Sequence, residues 1–110
     1  MKFCFKYKRK KVCLDVEKCG GARMGVGLMF KLRNTSALLF GFKKPFEKAI
    51  HSFFVFFPFV GVWLDDKNQV VEVRLVRPFT LKCKPKKKFT RLVEIPISSK
   101  YQGQLEIMRR

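Results

Sequence analysis

Hydrophobic and polar residues alternate with period two over the first seventeen positions. Phe3, Phe5 and Tyr7 interleave with Lys2, Cys4, Lys6 and Lys8, and Val12, Leu14 and Val16 interleave with Cys13, Asp15 and Glu17. Such alternation predicts two half-buried strands joined as a hairpin. A turn centred on Arg9 and Lys10 pairs Phe3 with Val16, Phe5 with Leu14 and Tyr7 with Val12, and sets Lys2 opposite Glu17. Slipping the register by two residues keeps the same faces and sets Cys4 opposite Cys13, within reach of a cross-strand disulfide. The first register pairs more apolar residues and is the one expected.

Farther along, Gly20-Gly21 breaks the pattern, and Ala22 to Phe30 predicts a short helix weakened by Gly25 and Gly27. Ala37 to Phe42 reads as a short buried strand, followed by a Lys43-Lys44-Pro45 loop. Ala49 to Phe57 reads as a strand, and Val60 to Leu64 continues it after Pro58. The run Asp65-Asp66-Lys67-Asn68 is turn chemistry, and Gln69 to Val76 returns as the second arm of a hairpin. Pro78 ends that arm, and a basic loop surrounds Pro85. "RLVEIPI" is expected as another strand and "GQLEIM" as a last one. The chain thus predicts a mainly β domain spanning residues 1–110, a small barrel or sandwich of six to eight short strands with one short helix.

The longest apolar run, Phe53 to Leu64, is interrupted by Pro58 and is much shorter than the ~20 residues a membrane-spanning helix needs. It lacks the interleaved basic residues of a base-stacking platform. Left exposed it would aggregate, so it is expected as core. The first residues carry no uninterrupted apolar leader, which points to a cytoplasmic protein.

Charge changes the picture more than composition does. Lys and Arg number 25 against 8 Asp and Glu, a formal net charge of +17, so the positive excess cannot be neutralised internally. An anionic partner is the natural complement, with RNA or DNA phosphate the leading choice among polyanions. Two clusters carry the excess. Lys6, Lys8, Arg9, Lys10 and Lys11 crowd the first hairpin tip, and Lys82, Lys84, Lys86, Lys87, Lys88 and Arg91 crowd the later loop. Each crowd repels itself unless an anion or salt screens it. The competing explanation is that solvated lysines guard strand edges against sheet-to-sheet association. Tyr7, Phe79, Phe89 and Tyr101, each near a basic residue, are the candidates for exposed aromatic stacking.

Catalytic and metal chemistry find little support. His51 is the single histidine, and its neighbour Ser52 would point to the opposite face of a strand. His51 therefore stays only as a candidate pocket residue. Cys4, Cys13, Cys19 and Cys83 contain no C-x-x-C pair, so no metal site is expected. Gly25-x-Gly27 lacks the third glycine of a dinucleotide fingerprint, and no cofactor is expected.

Five blocks, "GLMF", "ALLFGF", "IHSFFVFFPF…VWLDDKNQVVEV", "RPFT" and "RLVEIPI", occur in an order and spacing that resembles domain-of-unknown-function family 192, in its archaeal-type branch. The resemblance covers about residues 12–97. It implies a single barrel-like β domain with a short helix near "GLMF", and it implies no established activity. Val60 stands where many members carry Asp, and Phe53-Phe54 where many bacterial members carry Lys-Asn. The C-terminal segment is shorter than the helical tail usual in the family. The function expected is non-enzymatic binding of an anionic partner through the two basic loops. The alternative is a protein-binding or small-ligand module with an incidental basic surface, and a hydrolase-like enzyme comes third.

Overall fold

The alternating start of the chain forms the hairpin its pattern predicts, with β1 (Lys2–Tyr7) antiparallel to β2 (Lys10–Cys19). The computed structural model describes residues 1–19, 36–46, 57–78 and 88–109, with the backbone alone at 19, 42–46 and 109. The hairpin takes the slipped register, not the one expected from apolar matching. Phe3 faces Leu14, Phe5 faces Val12, and Cys4 faces Cys13. The cause lies in the turn. Lys8 and Arg9 form a two-residue connection with φ of 47° and 69°, the mirror-image turn whose twist suits a hairpin. Both registers bury the same side chains, so loop geometry decides between them. Cys4 and Cys13 are joined by a disulfide across a Cα–Cα distance of 4.1 Å.

Four further strands complete one sheet: β3 (Ala37–Phe46), β4 (Phe59–Leu64), β5 (Val70–Val76) and β6 (Phe89–Pro96). Their order is β1-β2-β3-β6-β4-β5, with β2 and β3 parallel and the other neighbours antiparallel. The two edge strands meet. Lys6 bridges to Gln69, and the Lys6 N–H donates to the Asn68 carbonyl at 2.9 Å. The sheet therefore curls into a half-barrel whose two edges touch at that bridge. The mainly β architecture is the one the sequence predicts, and the described residues add one short helix at a position where a strand is expected.

Two local expectations fail. Lys43-Lys44-Pro45 is not a loop but part of β3, whose pairing with β6 shifts register between Gly41 and Phe46. Such an irregularity lets a strand hold a proline that cannot donate to the ladder. "GQLEIM" is not a strand but helix α1 (Gln102–Arg109), preceded by a 3-10 turn at Ser99–Tyr101. Tyr101, Leu105 and Met108 share a helical stripe that packs on the half-barrel. The helix expected over Ala22–Phe30 lies outside the described residues. So does the strand expected over Ala49–Phe57, apart from Phe57, which is buried.

One apolar cluster draws on all six strands, from Phe5 and Val12 through Leu39, Val62 and Val93 to half-buried Val73, and fills the curl. A second cluster, with Leu38, Phe40, Phe59, Trp63 and Leu92, covers the opposite face of the central strands. Burial on both faces explains the apolar runs Ala37–Phe40 of β3 and Phe59–Leu64 of β4. The apolar stretch Phe57 to Leu64 is core, as its composition predicts. Tyr101 fastens α1 to this core. Its hydroxyl accepts from the Ala37 N–H at 2.7 Å and donates to the Asp15 carbonyl at 2.9 Å. Gln104 Nε2 donates to the Cys13 carbonyl at 3.1 Å. β3 pairs with β2 only from Val16 onward, so these side chains serve β2 carbonyls that have no strand partner on that edge.

Candidate anion-binding cleft

The first basic cluster converges. Lys6, Lys8, Arg9, Lys10 and Lys11 line a cleft of about 500 Å³, closed on the far side by Gln69 and Val70. The curl of the sheet creates it, because β1 meets β5 where Lys6 bridges to Gln69. All five cations are exposed. Period-two alternation puts Lys6 and Lys11 directly opposite each other on the outer face of the hairpin. Lys8 and Arg9 hold the turn itself, in the left-handed region that asparagine and glycine normally supply. Each costs roughly 1 kcal/mol there relative to glycine. Lys8 Nζ also lies 5.2 Å from the centre of the half-buried Tyr7 ring.

The β4–β5 turn forms the wall beside Gln69. Asp65 Oδ1 accepts from the Lys67 N–H at 2.8 Å and the Gln69 N–H at 2.9 Å. Asn68 takes a left-handed φ of 59°, which asparagine tolerates well. The turn expected from Asp65-to-Asn68 therefore forms, and it also aligns Gln69 with Lys6.

The second cluster is only partly described. Lys88 is exposed just before β6. Arg91 is half-buried, and its Nη1 donates to the Asp65 carbonyl at 3.3 Å. The β4–β5 turn is thus gripped by Lys6 on one side and Arg91 on the other. Lys82, Lys84, Lys86, Lys87 and the candidate pocket residue His51 lie outside the described residues. Among the aromatic candidates, Phe89 and Tyr101 are buried, in correction of the expectation that they are exposed. Phe89 packs edge-on against Trp63, and Tyr101 anchors α1. Phe79 lies outside the described residues.

Sequence reasoning missed two features. Glu94 is buried at the centre of β6, and burial pushes its carboxyl up from 4.5 to about 8. Alternation places it on the face of Leu92, between Leu38 of β3 and Gly61 of β4. Arg74 lies on that face beyond Gly61, ion-paired with Glu72. The signal was available, since an acid inside a strand buried on both faces cannot reach water. The other feature is an apolar cleft of about 710 Å³ between β5 and α1, lined by Val73, Leu75, Ile97 and Leu105. Ser98 Oγ in its wall is buried with no hydrogen-bond partner. No contiguous spacing could reveal it, because α1 was read as a strand.

Among the described residues no three His, Cys, Asp or Glu side chains gather as a metal site, and no helix is long and apolar enough to cross a membrane.

The sequence matches no protein-family profile and no curated protein. Solved structures do match. A protein of unknown function from Novosphingobium aromaticivorans DSM 12444 superposes with a TM-score of 0.72 at 14% identity, over 86% of this chain and 71% of that one. A Sinorhizobium meliloti 1021 protein described as a "putative transcription regulator" superposes with a TM-score of 0.75 at 12% identity, over 93% of this chain and 82% of that one. The likeness is one of fold. Identities this low carry the architecture across and leave the basic cleft to be judged on its own chemistry.

Proposed function

We propose that this protein binds a polyanion, RNA or DNA phosphate in the first place, through the cleft at the β1–β2 tip. One observation carries the reading: two cations, Lys8 and Arg9, occupy left-handed turn positions where asparagine and glycine would be more stable. Backbone strain retained at a charged cleft is a recurrent mark of a functional surface. Five clustered cations on a chain of net charge +17 supply the electrostatic complement to a phosphate backbone. The basic run from Lys82 to Lys88 adds charge of the same sign, and the neighbour described as a transcription regulator agrees with a nucleic-acid partner. Membership of domain-of-unknown-function family 192, in its archaeal-type branch, belongs to the same proposal and rests on the five sequence blocks. A cytoplasmic location belongs to the same proposal.

Titration against single- and double-stranded oligonucleotides at low and high salt tests the reading. Binding should weaken with salt, and again in Lys8→Glu plus Lys10→Glu and in Lys86→Glu plus Lys87→Glu. No binding at low salt, or binding indifferent to salt and to these charge reversals, overturns it.

The apolar cleft favours a second reading, a module for a small uncharged ligand. Its volume suits a drug-sized molecule, and Ser98 Oγ offers an unspent hydrogen bond. A neutral solvatochromic dye should bind wild type and lose binding in Leu75→Trp, which fills the cleft. Equal dye binding by both proteins removes this reading.

A further inference from the structure

We infer that the Cys4–Cys13 disulfide is a redox switch for the basic cleft, an inference that rests on the anion-binding reading above. Every cation of the cleft comes from the β1–β2 hairpin, and the disulfide crosses that hairpin two rungs from the facing pair Lys6 and Lys11. β1 is an edge strand. On its outer side, among the described residues, it meets β5 at the isolated Lys6–Gln69 bridge, where the Lys6 N–H donates to the Asn68 carbonyl. The tip is therefore lightly held at the point where its lysines repel one another and its turn is strained. A covalent cross-link next to that point keeps β1 in register and Lys6 against Gln69, which gives the cleft its two walls. Without the cross-link, fraying of β1 separates the cations from Gln69 and Val70.

The bond is placed for exchange. Cys4 and Cys13 lie on the outer face of the hairpin, both only half-buried, with exposed Lys2, Lys6, Lys11 and Asp15 on the same face. Both sulfurs are thus within reach of an attacking thiolate from solution, the access that thiol–disulfide exchange requires. The reductant is a dithiol. Its first thiolate attacks one protein sulfur, breaking the Cys4–Cys13 bond and forming a mixed disulfide with release of the other cysteine as thiolate. Its second thiolate then breaks the mixed disulfide. Two electrons pass to the protein, two protons from solution and the donor complete two cysteine thiols, and the dithiol leaves as its cyclic disulfide.

The oxidised protein is the tight-binding form. If reduction leaves the walled cleft formed in roughly a tenth to a third of molecules, apparent affinity falls about three- to tenfold. Binding of a fluorescent single-stranded oligonucleotide is measured at low salt in a Cys19→Ser plus Cys83→Ser background, so that only Cys4 and Cys13 respond. The arms are oxidised protein, protein reduced with dithiothreitol, and the further variant Cys4→Ser plus Cys13→Ser with and without dithiothreitol. The expected result is weaker binding on reduction, equally weak binding by the serine variant, and no response of that variant to dithiothreitol. Far-ultraviolet circular dichroism accompanies each arm. Should the serine variant fail to fold, the oxidised and reduced arms decide alone. Equal affinity in those two arms overturns the switch and leaves the anion-binding reading standing. Absence of binding in every arm overturns both, and weakening accompanied by global loss of β signal assigns the disulfide to overall stability and overturns the switch.

Discussion

Glu94→Gln should convert a pH-dependent stability into a flat one. Below 4.5 the Glu94 carboxyl is protonated in the native and unfolded chains alike and contributes no difference. Between 4.5 and about 8 the unfolded chain releases the proton while the buried native carboxyl keeps it. Native stability contributed by the neutral acid is therefore lost as pH rises across that window. The loss runs at about 1.4 kcal/mol per pH unit, reaching about 3 kcal/mol near neutrality and about 5 kcal/mol once pH exceeds the native value. That is a large part of the total stability expected of a domain this size. Glutamine keeps the shape and polarity of the protonated acid and has no proton to lose. Urea unfolding of wild type and Glu94→Gln at about pH 5 and about pH 8 isolates the effect, because every other titrating group is common to both proteins. The variant should gain several kcal/mol on wild type between the two conditions, a relative shift of more than about 1 M in urea midpoint. A stability difference constant to within about 0.5 kcal/mol would refute the reasoning and place the Glu94 carboxyl in contact with water or a cation.

Three further outcomes follow from the same geometry. Tyr101→Phe leaves the buried Ala37 N–H and Asp15 carbonyl without their partner and should cost about 1–3 kcal/mol in a thermal or urea melt. Gly61→Ala would bring a methyl group to 2.8 Å from the Trp63 ring, and overpacking of this kind should destabilise by about 1–3 kcal/mol, visible as a shift in Trp63 fluorescence midpoint. Lys8→Asn plus Arg9→Gly should raise stability by roughly 1–2 kcal/mol, by relieving the left-handed turn, while weakening oligonucleotide binding. Stability and binding moving in the same direction would contradict the account of the strained tip.

The strands were legible because their side-chain alternation and apolar runs report burial directly, as in Phe3 to Val16 and Phe59 to Leu64. Hairpin register was not, since two registers bury the same residues and only the positive φ of Lys8 and Arg9 separates them. α1 was misread because Leu105 and Ile107 suggest a two-residue period in a segment of eight residues. Its actual stripe begins outside the segment, at Tyr101. The basic cluster at the first tip could be read from sequence, but its far wall could not. Gln69 and Val70 are more than fifty residues away in the chain and join the cleft only through the curl of the sheet. Phe89 and Tyr101 show the reverse error, aromatics next to lysine in sequence that nevertheless point into the core.

The salt dependence of oligonucleotide binding tests the central claim most directly. Affinity measured across a series of salt concentrations should fall along a straight line in a double-logarithmic plot, with a slope of about −0.7 per single-strand phosphate contacted. Lys8→Glu plus Lys10→Glu should make that slope shallower by about the two contacts removed, across all sequences alike. A slope near zero in wild type, or one unchanged by the two charge reversals, would contradict a phosphate-binding role for the β1–β2 tip.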